Sequence, residues 1–248
     1  PTPPMNVAIV TVGDEILAGS TTNTNASWLA ERITERGSSV ERILTIPDDR
    51  DLIAETVAEW ADAFDATIVT GGLGGTHDDV TIDAIADAFD RDLVVEDTVQ
   101  RDVVRKAAEF RDLDPETTSA ADIDLDVPAW AALPTDSRAL LNPEGLCPGC
   151  VPENVYVFPG VPAEVKALFE LVASEFDGDA ITATLYTDVP EASVVDALPE
   201  IQDHFDVIVG SYPSTDDHNR VKIIGTDGHE VTAAADWLGE RLPLIEGR

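Results

Sequence analysis

Thr67–Ala84 reads TIVTGGLGGTHDDVTIDA. A short apolar run ends in four glycines within five residues, and Thr76, His77, Asp78 and Asp79 precede a helical pattern. This is the layout of a strand feeding a ligand loop at the carboxyl end of a parallel sheet. Glycines at Gly71, Gly72, Gly74 and Gly75 permit positive φ and a close ligand approach. Exposed backbone N–H groups there form an anion-binding concavity, and a helix starting near Asp79 adds its N-terminal dipole. No Gly-Lys-Ser/Thr follows and no GxGxxG is present, so neither a Walker loop nor a dinucleotide fingerprint applies. The plain alternative is a tight strand-to-helix turn.

Outward from this loop, strand and helix patterns alternate. Met5–Val12 is apolar with little alternation and reads as a buried parallel strand ending at Gly13-Asp14-Glu15. Asn23 or Asn25 can cap a helix that runs to about Arg36, with Trp28, Leu29 and Ile33 inward and Gly37 as its stop. Val40–Ile46 is a second strand, broken by Pro47-Asp48-Asp49. Leu52, Ile53, Val57 and Trp60 give the next helix its stripe, and Ala66–Thr70 is a third strand. Helices follow at about 80–89 and 97–110. Residues 113–135 mix prolines, threonines and acids and read as a mobile excursion. Val155–Phe158 returns to a strand, and Pro162 opens a helix reaching about Phe176.

The expected fold is α/β: a doubly wound, mostly parallel sheet with helices on both faces, plus a small C-terminal α+β domain. The boundary is placed at Asp177, giving domains 1–177 and 178–248. Beyond it, the pattern predicts strands at 181–187, 206–209 and 220–225, and helices at 193–204 and 231–242.

The 248 residues include 49 Asp and Glu but 15 Lys and Arg, a net charge of -34. Such a surface suits a salt-adapted, halophilic protein and repels nucleic acid and anionic membranes. No apolar stretch is long enough to span a membrane, so a soluble cytoplasmic protein is expected. Cys147 and Cys150 form one CPGC without the two further ligands a zinc site needs.

Three acid-bearing turns converge on one sheet edge: Gly13-Asp14-Glu15, Asp48-Asp49 and the loop with Asp78 and Asp79. Phe158-Pro159-Gly160 belongs to the same edge. One member of the Asp78-Asp79 pair is expected to cap a helix, with Asp78 the one facing the ligand. Thr76 is a candidate hydroxyl donor to a ligand.

These residues carry a resemblance. TVGDEILAGSTTNTNASWLA at 11–30, TGGLGGTHDDVTIDAIA at 70–86, LNPEGLCPG at 141–149 and FPGVPAEVKALF at 158–169 resemble the molybdopterin-binding-like (MoaB/Mog) domain family. The similarity is strongest to the branch found at the N-terminus of CinA-type competence/damage-inducible proteins and in eukaryotic FAD synthases. Gly75, where relatives commonly carry proline, and Cys147, where they carry a small residue, depart from the pattern. The resemblance implies a homo-oligomer, dimer or trimer, and a small nucleotide or pterin as ligand. It places Thr70, Gly71, Gly72, Leu73 and Gly74 against phosphate or pterin, and Asp78 and Asp79 near the reaction centre. Gly13, Asp14, Glu15, Asp49, Pro159 and Gly160 join the pocket. The amidohydrolase domain that follows in the CinA type is not expected in this chain.

The leading functional expectation is a hydrolase of a nucleotide diphosphate such as ADP-ribose or FAD, dependent on Mg²⁺, Mn²⁺ or Co²⁺. Asp78, Asp49 and Glu15 are its expected catalytic residues, with Asp78 and Asp49 on the metal. The alternatives are molybdopterin binding or adenylyl transfer in molybdenum cofactor biosynthesis, and a non-catalytic cofactor-binding module.

Overall fold

A computed structural model describes residues 4–75, 79–195, 197–213 and 218–245. Thr76, His77 and Asp78 therefore lie outside the described residues. The chain forms two compact units, one of Met5–Arg32 with Ser39–Glu175, the other of Pro1–Pro4 and Ile33–Ser38 with Phe176–Arg248.

The larger unit is built from β1 (Asn6–Val12), α1 (Asp14–Leu17), α2 (Thr24–Glu35, which runs into the second unit), β2 (Ser39–Ile46), α3 (Arg50–Ala63) and β3 (Ala66–Thr70). It continues through α4 (Thr81–Ala88), β4 (Leu93–Val95), α5 (Asp97–Phe110), α6 (Val127–Trp130) and β5 (Ala132–Pro134). β6 (Arg138–Leu140), β7 (Gly149–Val151), β8 (Val155–Phe158) and α7 (Pro162–Val172) complete it. Six strands form a sheet in the order β2-β1-β3-β8-β7-β6. β2, β1, β3 and β8 run parallel, while β7 and β6 return antiparallel. The central strands are apolar on both faces because both are covered: every residue of β3 and β8 is buried. Chain order reverses between β1 and β3, so the crevice at their carboxyl ends is the topological switch point.

Three expectations change. Residues 113–135 are not a detached excursion: Ile123, Val127, Ala131 and Leu133 are buried in the main core, and β5 pairs with β4. Elements of three or four residues are too short to show a period, which is why they read as irregular. Leu52 is 39% exposed, and Thr56 takes its place on the buried face of α3 beside Ile53, Val57 and Trp60. The expected helix 193–204 is two helices, as described next.

The smaller unit holds β9 (Ile181–Thr187), α8 (Glu191–Val195), α9 (Leu198–His204), β10 (Ile208–Tyr212), β11 (Asn219–Gly225), α10 (Gly228–Gly239) and β12 (Leu244–Ile245). Pro199 sits in the first turn of α9, where its missing N–H is tolerated but cannot continue α8. The strands form an antiparallel sheet, β10-β11-β9-β12. Val221 and Ile223 of β11 pack with Val194, Ile201, Val231, Ala234 and Leu238 from the three helices into one core. Among the described residues, no helix is long and apolar enough to cross a membrane.

Candidate functional site

A cavity of about 570 Å³ opens at the switch point. Its floor is Thr70, Gly71, Gly72, Leu73 and Gly74, and its walls come from Gly13, Glu15, Asp48, Asn25, Pro159 and Gly160. Gly71 has φ +100, and a Cβ there would collide with the carbonyl oxygen of Val12. The β1 and β3 termini thus approach too closely for any other residue. Gly71 donates its N–H to Phe158 O at 3.1 Å and Gly13 donates to Ile46 O at 3.1 Å, which locks four strand ends together. Asn23 caps α2 by accepting from Ala26 N, and its amide donates to Thr11 Oγ1 at 3.0 Å. Asn25 instead reaches across the cavity mouth, donating to Gly160 O at 2.7 Å.

Among the described residues, four carboxylates line the cavity: Glu15, Asp48, Asp79 and Glu164. Each lies against a glycine. A Cβ on Gly13 would stand 2.7 Å from Glu15 Oε1, one on Gly74 2.5 Å from Asp79 Oδ2, and one on Gly72 3.3 Å from Asp48 Oδ1. A Cβ on Gly145 would overlap the Glu164 carboxylate. The glycines make room for acids as well as for a ligand. No Arg, Lys or His is among the described residues that line the cavity. Among the described residues, the Thr70 hydroxyl, buried in the floor, has no hydrogen-bond partner, and neither has that of Thr81 just behind Gly72. A buried hydroxyl without a partner costs free energy until a ligand or water meets it.

The structure separates the members of the acid pairs. Asp49 caps α3, accepting from Leu52 N at 3.0 Å, and it is not among the cavity-lining residues. Asp48 is, and it also accepts from Asp14 N at 3.0 Å. Asp14 contributes that backbone contact but does not line the cavity. Asp79 lines it; Asp78 and Thr76 lie outside the described residues. The signal separating Asp48 from Asp49 was present in the chain: an Asp directly before Arg50, three residues ahead of Leu52, is in the capping position.

Two residues went unrecognised in the sequence. Glu164, in the first turn of α7, is half-buried, and burial raises its carboxyl above the ordinary range against the lowering effects of Asn142 and Lys106. Asn142 is buried and fully used. Its amide donates to Glu164 Oε2 and to Cys147 O, both at 2.8 Å, and its carbonyl accepts from Glu144 N and Gly145 N. Lys106 donates to the Asn142 and Gly145 carbonyls from the other side. An Asn-Pro-x-Gly turn is the sequence signal for such a self-bonded asparagine.

Cys147 Sγ donates to Leu73 O at 2.9 Å. Burial pushes its thiol far above the ordinary value, with Glu164 and Asp79 adding to the shift, and it pushes Cys150 up to about 12. Both are packing thiols rather than nucleophiles. Trp130 lines the cavity with its indole lying over Gly75. Among the described residues, no group of three His, Cys, Asp or Glu stands where it could hold a metal ion.

Comparison with known proteins agrees with this geometry. Residues 8–177 match the probable molybdopterin binding domain. The chain belongs to that family. Residues 179–246 match the middle domain of FAD synthase. A protein of Archaeoglobus fulgidus is 37% identical over 96% of the chain and 98% of its own length. A CinA-like protein of Salinibacter ruber is 31% identical over 98% of the chain, which spans 58% of that relative. The crystal structure of the protein CinA, of unknown function, from Thermoplasma acidophilum superposes with a TM-score of 0.58 at 30% identity. That superposition covers 69% of this chain and 98% of the other.

Proposed function

We propose that the switch-point cavity binds a molybdopterin-class ligand, a pterin carrying a phosphate, and serves adenylyl transfer to that phosphate in molybdenum cofactor biosynthesis. The observation that carries this is a cavity with an anion-accepting floor whose described charged side chains are all carboxylates. The amino-pyrimidinone edge of a pterin presents adjacent N–H donors, and ionised carboxylates such as Glu15, Asp48, Asp79 and Glu164 can only accept. The phosphate belongs on the glycine floor, where Thr70 Oγ1 has a donor to spare. In adenylyl transfer a pterin phosphate oxygen attacks the α-phosphorus of ATP and pyrophosphate leaves.

A divalent cation, Mg²⁺, Mn²⁺ or Co²⁺, supplies charge neutralisation on the phosphoryl oxygens when bound. The residues present fit that role only together with substrate. Mg²⁺ commonly takes one or two carboxylates plus phosphate oxygens and water rather than an all-protein cage, and acids without a basic partner suit such sharing. Asp79 and Asp48 are the described carboxylates nearest the floor glycines; Asp78 and Thr76 remain candidates from the sequence.

A second reading is hydrolysis of a nucleotide diphosphate such as ADP-ribose or FAD. The CinA-like relative and the FAD synthase match over residues 179–246 favour it. One experiment separates them. The protein, at high salt, is given molybdopterin with Mg-ATP in one arm and ADP-ribose or FAD with Mg²⁺, Mn²⁺ or Co²⁺ in the other, and products are resolved by mass. Adenylylated pterin is expected. AMP from the second arm with no pterin product selects hydrolysis, and tight binding without turnover in both arms makes the chain a binding module. Asp78→Asn and Asp79→Asn are each expected to keep pterin binding and lose turnover.

A further inference from the structure

The four strands of the smaller unit contain no Asp or Glu, in a chain where about one residue in five is acidic. Strand register sorts their side chains onto two faces. Ala183, Leu185, Val221, Ile223 and Val209 point to the helices and join the core. The opposite face carries three cross-strand rows. One is Tyr212–Arg220–Tyr186, the next Gly210–Lys222–Thr184, and the third Ile208–Ile224–Thr182.

Two of the three tyrosines in the chain and two of its fifteen basic residues therefore share one sheet face. Tyr212 is 46% exposed and Ile208 68%. The missing Cβ of Gly210 lets the Tyr212 ring lie down on the sheet: a Cβ there would stand 3.0 Å from the ring. The Lys222 ammonium sits 5.8 Å from the centre of that ring. Among the described residues, neither Arg220 nor Lys222 is in an ion pair, whereas other basic residues, Arg50, Arg105 and Arg138 among them, are paired with carboxylates. On a molecule of net charge -34, an acid-free face with two cations beside aromatic rings is a local region to which an anion is drawn.

We infer that this face is a second ligand site, taking a free nucleotide: an aromatic base stacked on Tyr212 or Tyr186 and a phosphate held by Arg220 and Lys222. Each part answers a feature of the face. Aromatic side chains on a sheet are sequence-tolerant stacking platforms for bases. A guanidinium presents paired donors to phosphate oxygens, and an ammonium beside it adds a point charge. The charge balance favours a mononucleotide over a polymer, because each further phosphate of a strand would run out from two cations into the field of the acidic surface. The site is independent of the switch-point cavity and does not rest on its chemistry.

The test uses the full chain, with AMP as probe at one fixed salt concentration. Calorimetry gives affinity, and hydrogen exchange gives location. AMP is expected to slow exchange in 208–212 and 219–225 and to bind more tightly than adenosine or inorganic phosphate. Arg220→Gln with Lys222→Gln, and separately Tyr212→Leu, each weaken that binding about tenfold. Thr70→Val, in the cavity floor, leaves protection of this face unchanged. Three results overturn the inference: AMP protection that survives the double variant, AMP affinity abolished by Thr70→Val alone, or a single-stranded oligonucleotide bound more tightly than AMP. A halving of solution mass in the double variant, with no AMP protection in the parent, overturns it as well and makes the face a contact between copies. Far-ultraviolet circular dichroism and the unfolding midpoint of each variant show whether the fold is intact. If the double variant unfolds, Arg220→Lys takes its place, keeping the charge and removing the paired donors.

Discussion

The two sheets of this chain place their charges in opposite ways. At the carboxyl edge of the parallel sheet, four carboxylates and no basic residue are among the described residues that line the cavity. On the open face of the antiparallel sheet, Arg220 and Lys222 stand among tyrosines with no acid in any strand. A charge of -34 over 248 residues invites the view that acids are simply spread for solvation. The contrast argues against it. Where acids gather they are seated against glycines, and where they are missing the two cations form no ion pair among the described residues.

The largest expected effect comes from exchanging glycines between the two sheets. Gly71 combines φ +100 with backbone contact to Val12, so Gly71→Ala must move a strand end. A loss of about 3 kcal/mol is expected from strain and displaced backbone, read by denaturant unfolding. Gly210 faces only the far end of the Tyr212 side chain. Gly210→Ala is expected to shift stability by about 1 kcal/mol or less, since alanine is otherwise better tolerated than glycine in a strand, while tilting the Tyr212 ring off the sheet. Equal losses at both positions would show that Gly71 is a replaceable turn residue, and would remove the structural reason for placing a ligand floor there.

A smaller loss is expected at Asn142, which holds the acidic side of the contrast in place. Asn142→Ala removes four hydrogen bonds from a buried position. The carbonyl of Cys147 loses its donor, and the Glu164 carboxylate loses its orientation. About 2 kcal/mol is expected, and pterin affinity should fall with it, while protection of the antiparallel sheet stays as it was. Unchanged affinity would mean that Glu164 does not contact the ligand.

Much of this architecture could be read in advance, and what could not has a physical cause. β1 and β3 announce themselves as apolar runs ended by turn residues, α3 and α5 are long enough to show a helical stripe, and α5 matches its expected bounds. β4, β5, β6 and β7 have three residues each, too short to show a period, and β4 pairs with β5 across the intervening helices. The glycine loop and its acidic neighbours were legible as a site because glycine density and strand ends are local features. The choice between Asp48 and Asp49, and the place of Glu164, depend on which carboxylate a helix start consumes and which a distant loop holds. Asn142 and Glu164 lie 22 residues apart, so their contact belongs to the fold rather than to any local pattern.

Glu164 offers the smallest effect and the most specific sign. Burial raises its carboxyl above the value of about 4.3 for a free glutamate, more than Asn142 and Lys106 lower it. The folded state therefore holds the proton more tightly than the unfolded chain. Stability linked to that proton is fully present below the unfolded value and is lost as pH rises through the raised folded value. Above the free-glutamate value that lost stability weighs against folding, and Glu164→Gln, which keeps an oxygen for Asn142 to donate to, is expected to raise the unfolding midpoint at pH 7. The advantage should shrink as pH falls below the free-glutamate value, where the parent carboxyl becomes protonated in both states. A variant less stable than the parent at pH 7 would show that Lys106 and Asn142 outweigh burial. No such gain is expected on the antiparallel sheet, where Lys222→Gln removes an ammonium resting 5.8 Å from the centre of the Tyr212 ring. A ligand should reverse the order at the cavity: bound pterin, donating N–H groups to an ionised Glu164, stabilises the parent more than the glutamine variant.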